Sequence, residues 1–246
     1  MREHRLYHTE PINTGQTITL EANTSNRIRQ VLRLKPGQTI TVFDGSGHDY
    51  TAELISCAKQ AARVRIGEVI RHETAPVLSL QLALGITRGE KMEYSLQKAV
   101  ELGVMAITPL FTQRTLVQLQ GPKLQRRQAH WDGIIQHACE QSGRSLLPQQ
   151  YPAQTLNAWL AQTVFSKTQT LLLDPQAELS LTTLPQPQHK NIVVLVGPEG
   201  GLAPAERSQA IQQGFTPIRL GPRILRTETA PLAALAAIQT LWGDYR

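Results

Sequence analysis

The sequence predicts an α/β protein preceded by a small β-rich unit. The chain has 246 residues, of which 41% are hydrophobic, so it can bury a large core in one large or two modest domains. Up to about residue 71, short strand-like runs alternate with turns. From Pro76 onward, strands alternate with longer helical patterns, which predicts parallel strands joined by crossover helices. We therefore expect domains at residues 1–71 and 76–246, joined through "RHETAP" at residues 71–76.

The N-terminal part has the pattern of a small β-barrel. Its strand-like runs are "QTITL", "QTITVFDGSGHDYTAELI" and "AARVRIGEVI". Asp44, Gly45 and Gly47 interrupt the second run and predict a hairpin, because a tight reversal needs permissive backbone angles. One helix is predicted from about Asn23 to Leu34, where the following Lys-Pro-Gly stops it.

The C-terminal part combines buried strands with amphipathic helices. Strands are predicted at "VLSLQLALGI", "VMAITPLF" and "TQTLLLD", and helices at residues 90–102 and 123–142. In the first helix, Met92, Leu96, Ala99 and Val100 recur at helical spacing, which predicts that this face packs on the sheet.

Two glycine-bearing segments carry the clearest functional signal. They are "LVGPEGGL" (195–202) and "LGPRILRTETA" (220–230), and each follows an apolar run typical of a buried strand. Two strands that each deliver a turn predict one ligand pocket built from loops. Neither segment is a dinucleotide fingerprint or a phosphate loop. An alanine-rich helix follows the second segment, with Thr227 or Thr229 as its expected N-terminal cap.

Charge and composition restrict the partners. The net charge of +6 and the pI near 9.6 fit a polyanionic partner or aid solubility. Basic residues cluster at Arg27, Arg29 and Arg33, and again at residues 123–127; each cluster is either a solvated helix face or a phosphate contact.

Cellular location and metal binding are also constrained by the sequence. No run approaches the roughly 20 apolar residues of a membrane span, and the N-terminus lacks the apolar stretch of a signal peptide, so a cytoplasmic protein is expected. Cys57 and Cys139 form no CxxC pair, which argues against a disulfide framework or a cysteine-built zinc site. We expect no metal.

Several segments in register resemble a known family. "GPEGGL" and "LGPRILRTETA", with "TRGEKMEYSLQKAVELGV" (87–104) and "ACEQSGR" (138–144), are similar to the RsmE family of the SPOUT superfamily. Its members methylate uridine N3 in 16S ribosomal RNA of the small subunit. The resemblance implies a C-terminal domain with a deep trefoil knot, a PUA-like N-terminal barrel that docks RNA, S-adenosylmethionine as methyl donor, and a homodimer whose pocket is completed across the interface.

The resemblance also implies which residues contact the donor. They lie at the ends of three strands and in the two glycine-bearing segments: Leu172, Leu173, Val196, Gly197, Gly201, Leu220, Gly221, Leu225 and Thr227. Apolar side chains beside exposed main-chain groups suit adenine, which needs a flat slot and a few hydrogen bonds.

Methylation at uracil N3 requires loss of the ring proton. Glu140, Glu199 and Glu228 are the candidates for assisting it, because each lies in a family-like segment. Glu199 could instead brace its own glycine turn. Glu228 could instead stabilise the N-terminus of its helix through the helix dipole.

Cationic residues are candidates for charge stabilisation and RNA contact. Arg226 and Arg144 can grip a phosphate or a uracil carbonyl with paired donors. Arg223 either does the same or pairs with Glu199. Arg88 and Lys91 are expected RNA contacts, and Lys91 is equally well explained as an exposed helix residue. RNA contacts are also expected from the helix carrying Arg27, Arg29 and Arg33.

Three alternatives stay open at this point. His137 and Cys139 could form a nucleophilic pair, although N3 attack needs none and both are expected to pack in a helix. The reaction could be 2′-O-ribose methylation. The chain could also be a non-catalytic RNA-binding factor in ribosome assembly that keeps the fold.

Overall fold

A computed structural model describes residues 4–58 and 61–245. The chain divides into two compact units. One comprises the chain up to Ala75 together with Gln136–Leu147, and the other comprises Pro76–Ile135 and the chain from Pro148 onward. The segment Gln136–Leu147 falls inside the predicted second domain, but the structure groups it with the first unit.

The first unit is built on a mostly antiparallel five-stranded sheet. Its strands are β1 (Arg5–Tyr7), β2 (Thr17–Thr19), β3 (Thr39–Phe43), β4 (His48–Cys57) and β5 (Ala62–His72). Their order is β1-β3-β4-β5-β2, and only β1 and β3 pair in parallel. The hairpin predicted between β3 and β4 is confirmed. Gly45 and Gly47 turn it with φ of +88° and +100°, a region that favours glycine.

One short helical segment covers the apolar face of this sheet. Helix α1 (Ala22–Arg27) continues as a π-helical turn over Ile28–Leu32. The helix ends earlier than the predicted Leu34, because Arg33 takes a left-handed conformation and the N–H of Leu34 bonds back to the carbonyl of Ile28 at 3.1 Å. Ile28 packs with Leu6, Val42 and Val64 in a buried core.

Buried ionic contacts attach residues 136–147 to this unit. Arg5 donates to Asp49 at 2.7 Å and to the carbonyl of Cys139 at 2.9 Å. Asp49 also accepts from the Ser145 hydroxyl at 2.7 Å and from Arg71 at 2.8 Å. Because Arg5 and Asp49 lie in the sheet while Cys139 and Ser145 lie in the inserted segment, these contacts explain the grouping.

The second unit is a parallel sheet flanked by helices. The element bounds are β6 (Ser79–Gly85), α2 (Gly89–Glu101), β7 (Val104–Phe111), α3 (Gly121–Ser142, whose last residues belong to the first unit), β8 (Gln149–Gln150), β9 (Gln154–Thr155), α4 (Leu156–Gln162), β10 (Thr168–Leu173), β11 (Asn191–Val196), α5 (Pro204–Gln212), β12 (Thr216–Ile218) and α6 (Thr229–Trp242). The order is β12-β10-β11-β6-β7-β8, and β9 pairs with β7. Every pairing is parallel, as predicted.

Helices cover this sheet with the faces that the sequence predicts. Helix α2 buries Met92, Leu96, Ala99 and Val100 and packs against β7 and α6. Helix α5 packs against α4 beside a cluster of aromatic rings that includes Trp159. In the described part of the chain, no helix is both long enough and apolar enough to span a membrane.

The parallel arrangement decides where a ligand can bind. All the parallel strands end at the same edge, so the connections after β6, β7, β10, β11 and β12 emerge side by side. In open parallel sheets, ligands bind at the carboxyl ends of the strands. Both glycine-bearing segments lie at this edge.

Candidate functional site

The two glycine-bearing segments are neighbours in space. The first follows β11, the second follows β12, and β10 lies between these strands. Adjacent strands are about 4.8 Å apart, so the stems of the two loops are separated by roughly 10 Å. Leu172 and Leu173 end β10 in that interval. The two loops therefore flank the end of β10, whose last two residues are leucines. The ligand pocket that the sequence predicts from these loops stays a prediction.

The first loop packs so closely that side chains are excluded from two positions. A Cβ on Gly197 would lie 2.9 Å from the carbonyl carbon of Gly201 and 2.9 Å from the nitrogen of Leu202. A Cβ on Gly85, at the end of β6, would lie 2.5 Å from the nitrogen of Pro198. Since both contacts are with backbone atoms, glycine is required at both positions for main chain to pack on main chain.

Two side chains that sequence reasoning missed hold this loop in place. Arg114, after β7, donates to the carbonyl of Gly200 at 2.8 Å. Glu206 is buried in the first turn of α5 and accepts from the N–H groups of Ala203 at 2.9 Å and Gln113 at 2.8 Å. A glutamate two residues after a helix-starting proline is a sequence signal for such a cap, whereas nothing near Arg114 marks its role.

The second loop lies against the segment that follows β10. Asp174 donates its N–H to the carbonyl of Ile218 at 2.9 Å, and Arg219 donates to Leu179 at 2.9 Å. Of the residues predicted to contact the donor, Leu220, Leu225 and Thr227 are half-buried and Gly221 is exposed. Arg223 and Arg226 are exposed as well.

The predicted cap of α6 is wrong. The N-cap position is Glu228, and neither Thr227 nor Thr229 caps the helix with its side chain. Instead, the carbonyl of Arg226 accepts from the N–H groups of Thr229 and Ala230, both at 2.9 Å. The first N–H groups of the helix are thus bonded by a main-chain carbonyl of the preceding turn and not by a threonine side chain.

Lys91 connects the two loops. Its Nζ lies 3.9 Å from Glu199 Oε1 in the first loop and 3.9 Å from Glu228 Oε2 at the end of the second. Glu199 Oε1 also accepts from the N–H of Arg88 at 3.2 Å. The Oε2 atoms of both glutamates are buried without a hydrogen-bond partner in the described part of the chain. Two carboxylates and one ammonium thus converge where the loops meet.

Two expectations about Glu199 are corrected by these contacts. Glu199 braces the turn after β6 rather than its own glycine turn, because its carboxylate reaches Arg88 across the sheet edge. Arg223 does not pair with it in the described residues; Lys91 does. Lys91 is 42% exposed at its side chain, so it can still meet a ligand.

Glu140 and Arg144 are engaged within the first unit. Glu140 pairs with Arg27 at 2.7 Å and accepts from the N–H of Tyr7 at 2.9 Å. Arg144 lies 3.7 Å from Glu73, with 11% of its side chain exposed. These contacts give both residues a structural role within the first unit. Arg27, which was expected to contact RNA, forms an ion pair with Glu140 instead.

The cysteine in the 138–144 segment is not suited to nucleophilic chemistry. Cys139 is fully buried, and burial raises the pKa of its thiol to about 12. Because only the thiolate is an effective nucleophile, we expect Cys139 to resist maleimide at pH 7 while the partly exposed Cys57 reacts. Mass spectrometry of the native, labelled protein checks this, and labelling of Cys139 at the rate of Cys57 would contradict it.

A surface cavity lies away from this site. It has a volume of about 380 Å³ and is lined by residues 167–169, 185, 186, 188 and 189. These residues surround the starts of β10 and β11, which is the opposite edge of the sheet from the glycine-bearing loops. The described residues hold no cluster of three histidine, cysteine or acidic side chains able to bind a metal.

The fold, the two loops and two family models define an RNA methyltransferase with a PUA-like N-terminal unit. A family model described as "RNA methyltransferase domain" matches residues 73–239, and one described as "RNA methyltransferase PUA domain" matches residues 26–67.

The chain belongs to the ribosomal RNA small subunit methyltransferase E family. It is 33% identical to the Buchnera aphidicola member over 98% of this chain and 97% of the relative. It is 34% identical to the Synechocystis member over 92% of this chain and 73% of the relative. A crystal structure of the Neisseria gonorrhoeae protein bound to S-adenosylmethionine is 39% identical over the whole of both chains, with a TM-score of 0.90.

Proposed function

We propose that this protein methylates uridine N3 in 16S ribosomal RNA of the small subunit, with S-adenosylmethionine as donor. The observation that carries the proposal is the convergence of both glycine-bearing loops on Lys91, which brings two carboxylates together at the loops proposed to bind the donor. The family relationship supports the reaction, and the Neisseria gonorrhoeae relative was crystallised with this donor. An enzyme with this substrate would act in the cytoplasm.

The slot between the loops fits the donor chemically. Leu172, Val196 and Leu225 offer apolar surface for adenine, while Gly197 and Gly201 let the main chain approach closely. The other residues proposed to contact the donor are Leu173, Leu220, Gly221 and Thr227. When bound, S-adenosylmethionine supplies a methyl group activated by the adjacent sulfonium. The residues of the chain must then orient the uracil base and accept the proton that leaves N3.

We include a trefoil knot in the proposal. The segment after β12 lies against the segment after β10, and α6 then packs on β11 and α2. The chain must therefore cross the end of β10 to reach the other side of the sheet. This route is compatible with threading through a loop, a rare exception to the rule against knotted connections.

The carboxylates and cations at the loop junction suit methylation at N3. Glu199 and Glu228 each hold a buried oxygen without a hydrogen-bond partner among the described residues, and such an oxygen can accept the N3 proton. Lys91, between them, and the exposed Arg226 can stabilise the charge that develops on the ring oxygens. Alignment of the base with the methyl group contributes much of the remaining acceleration.

Removing one of these carboxylates should slow the chemical step. We expect Glu199→Gln or Glu228→Gln to lower the single-turnover methylation rate about 100-fold, because an amide cannot accept the proton. Glu140→Gln is the matched control and should retain a near-normal rate, since Glu140 pairs with Arg27 in the first unit. If all three variants retain near-normal rates, no carboxylate base is used.

The reaction itself is tested with purified protein, labelled donor and small ribosomal subunits from cells that lack the enzyme. Mass spectrometry of the digested RNA should locate the label on a uridine base at N3. Label on a ribose would indicate 2′-O methylation instead. Failure of S-adenosylmethionine to bind in calorimetry would favour a non-catalytic assembly factor.

The proposal includes RNA docking and a homodimer. Arg29 and Arg33 on the first unit and Arg88 at the site are exposed cations suited to phosphate contact. Ile224, in the second loop, is 86% exposed, which is unusual for an apolar residue in a ligand loop and fits coverage by a second subunit. Light scattering of the purified protein measures the oligomeric state.

A further inference from the structure

A small recess opens beside the turn that follows β6. Its volume is about 20 Å³, and its polar lining residues are Thr87, Arg127 and Trp131. Met92, on α2, lines it as well. The recess thus lies between the start of α2 and the side of α3, within the second unit.

Two polar atoms of residues that line this recess are buried without a hydrogen-bond partner in the described part of the chain. They are Thr87 Oγ1 and Trp131 Nε1, in residues that are 3% and 1% exposed. A buried polar group without a hydrogen bond is costly, so each such atom requires an explanation. The indole N–H and the Arg127 guanidinium only donate, and the threonine hydroxyl can donate. No carboxylate is among the described lining residues. The hydrogen-bond acceptor for these donors must therefore come from a bound molecule.

The size of the recess sets how large that acceptor can be. A volume of about 20 Å³ is enough for one water-sized atom. A phosphate group needs more room, whereas a single carbonyl oxygen fits. Val117 and Leu119 also line the recess, and their apolar surface suits the edge of a flat ring.

The recess adjoins the residues that the proposed reaction uses. Thr87 is followed by Arg88, whose N–H bonds to Glu199 at 3.2 Å. Lys91, on the first turn of α2, lies 3.9 Å from Glu199 and from Glu228. The recess therefore shares the turn after β6 and the start of α2 with the residues that contact both carboxylates.

We propose that this recess receives one carbonyl oxygen of the target uracil, with Thr87 and Trp131 as its hydrogen-bond donors. The inference rests on the proposed function. Uracil carries a carbonyl on each side of N3. When either oxygen is bound in the recess, N3 lies two covalent bonds from the bound oxygen. If the recess binds the oxygen at C4, it also favours uracil over cytosine, because cytosine has an amino group at C4 and the indole N–H of Trp131 cannot accept a hydrogen bond from it.

The test compares variants that remove or keep the donor at position 87. Thr87→Val removes the hydroxyl at constant shape, and Thr87→Ser keeps it. We expect Thr87→Val to lower kcat/KM for small subunits about 10-fold while the dissociation constant for S-adenosylmethionine changes less than 2-fold. Thr87→Ser should retain activity within about 3-fold, and Trp131→Phe should repeat the effect of Thr87→Val.

A matched control separates substrate binding from stability. Thr170 is also a buried threonine, but its hydroxyl donates to the carbonyl of Gly214 at 2.8 Å. Thr170→Val should therefore lower the melting temperature and leave kcat/KM unchanged. Thr87→Val should leave the melting temperature unchanged, because its hydroxyl has no partner among the described residues.

The outcomes distinguish this inference from the proposed function. If the wild type is active and both Thr87→Val and Trp131→Phe keep its kcat/KM, the inference about the recess is wrong and the proposed function stands. The recess then holds only water. A wild type that binds the donor but transfers no methyl group to small subunits overturns the proposed function and this inference with it.

Discussion

Replacing Gly85 with alanine is expected to lower the single-turnover methylation rate about 100-fold and to weaken the binding of S-adenosylmethionine. The new Cβ would lie 2.5 Å from the nitrogen and 2.7 Å from the Cδ of Pro198, so the first loop must move away from β6. A displacement of about 1 Å at a catalytic site is enough for a 100-fold loss of rate, and a displaced loop also makes fewer contacts with the donor. Calorimetry with the purified variant measures the loss of donor affinity. Single-turnover kinetics measure the loss of rate, which follows because the methyl group is no longer aligned.

Gly133→Ala is the matched control for this substitution. Gly133 lies inside α3, and a Cβ there meets no atom within 4 Å. Alanine in a helix interior should raise stability by about 0.5–1 kcal/mol and leave donor affinity unchanged. Donor binding by Gly85→Ala at wild-type affinity would show that the loop after β11 does not hold the donor.

Asp49→Ala is expected to destabilise the first unit by about 3–5 kcal/mol. Asp49 and Arg5 are 4% and 10% exposed at their side chains, 2.7 Å apart. Removing the carboxylate leaves the Arg5 guanidinium buried without its counter-charge and deprives Ser145 of its acceptor. Urea unfolding gives the change in free energy, and hydrogen exchange along β4 shows that the loss is local to this unit.

Glu53→Ala provides the comparison on the same strand. Glu53 pairs with Arg65 at 3.7 Å, but the two side chains are 49% and 61% exposed. An exposed pair of this kind contributes little, so the change should stay within about 0.5 kcal/mol. A loss below 1 kcal/mol for Asp49→Ala would mean that the buried network does not hold residues 136–147 against the sheet.

Local patterns predicted most of the elements that form the site. The apolar runs that became β6, β7, β10, β11 and β12, and the helical face of α2, follow directly from residue periodicity. The short strands β1, β8 and β9 were not predicted, because their residues (RLY, QQ and QT) form no apolar or alternating run. Helix α4 was missed as well, since it has only seven residues.

Contacts between distant segments were beyond sequence reasoning. Arg114 holds Gly200 across 86 positions, and Arg5 reaches Cys139 across 134. Glu140 and Glu199 were both candidate bases in the sequence, yet the structure pairs Glu140 with Arg27 and places Glu199 beside Lys91. Thr87 and Trp131 gave no signal, because a buried unpartnered atom is defined only by what surrounds it.

The sequence by itself determined the family, the parallel sheet and the two glycine-bearing loops, because these depend on residue type and on short-range spacing. The tertiary structure alone decided which charges meet: Lys91 with Glu199 and Glu228, and Arg5 with Asp49. Electrostatic and hydrogen-bond energies depend on distances between atoms and on burial. These quantities are set only when strands from distant parts of the chain come together.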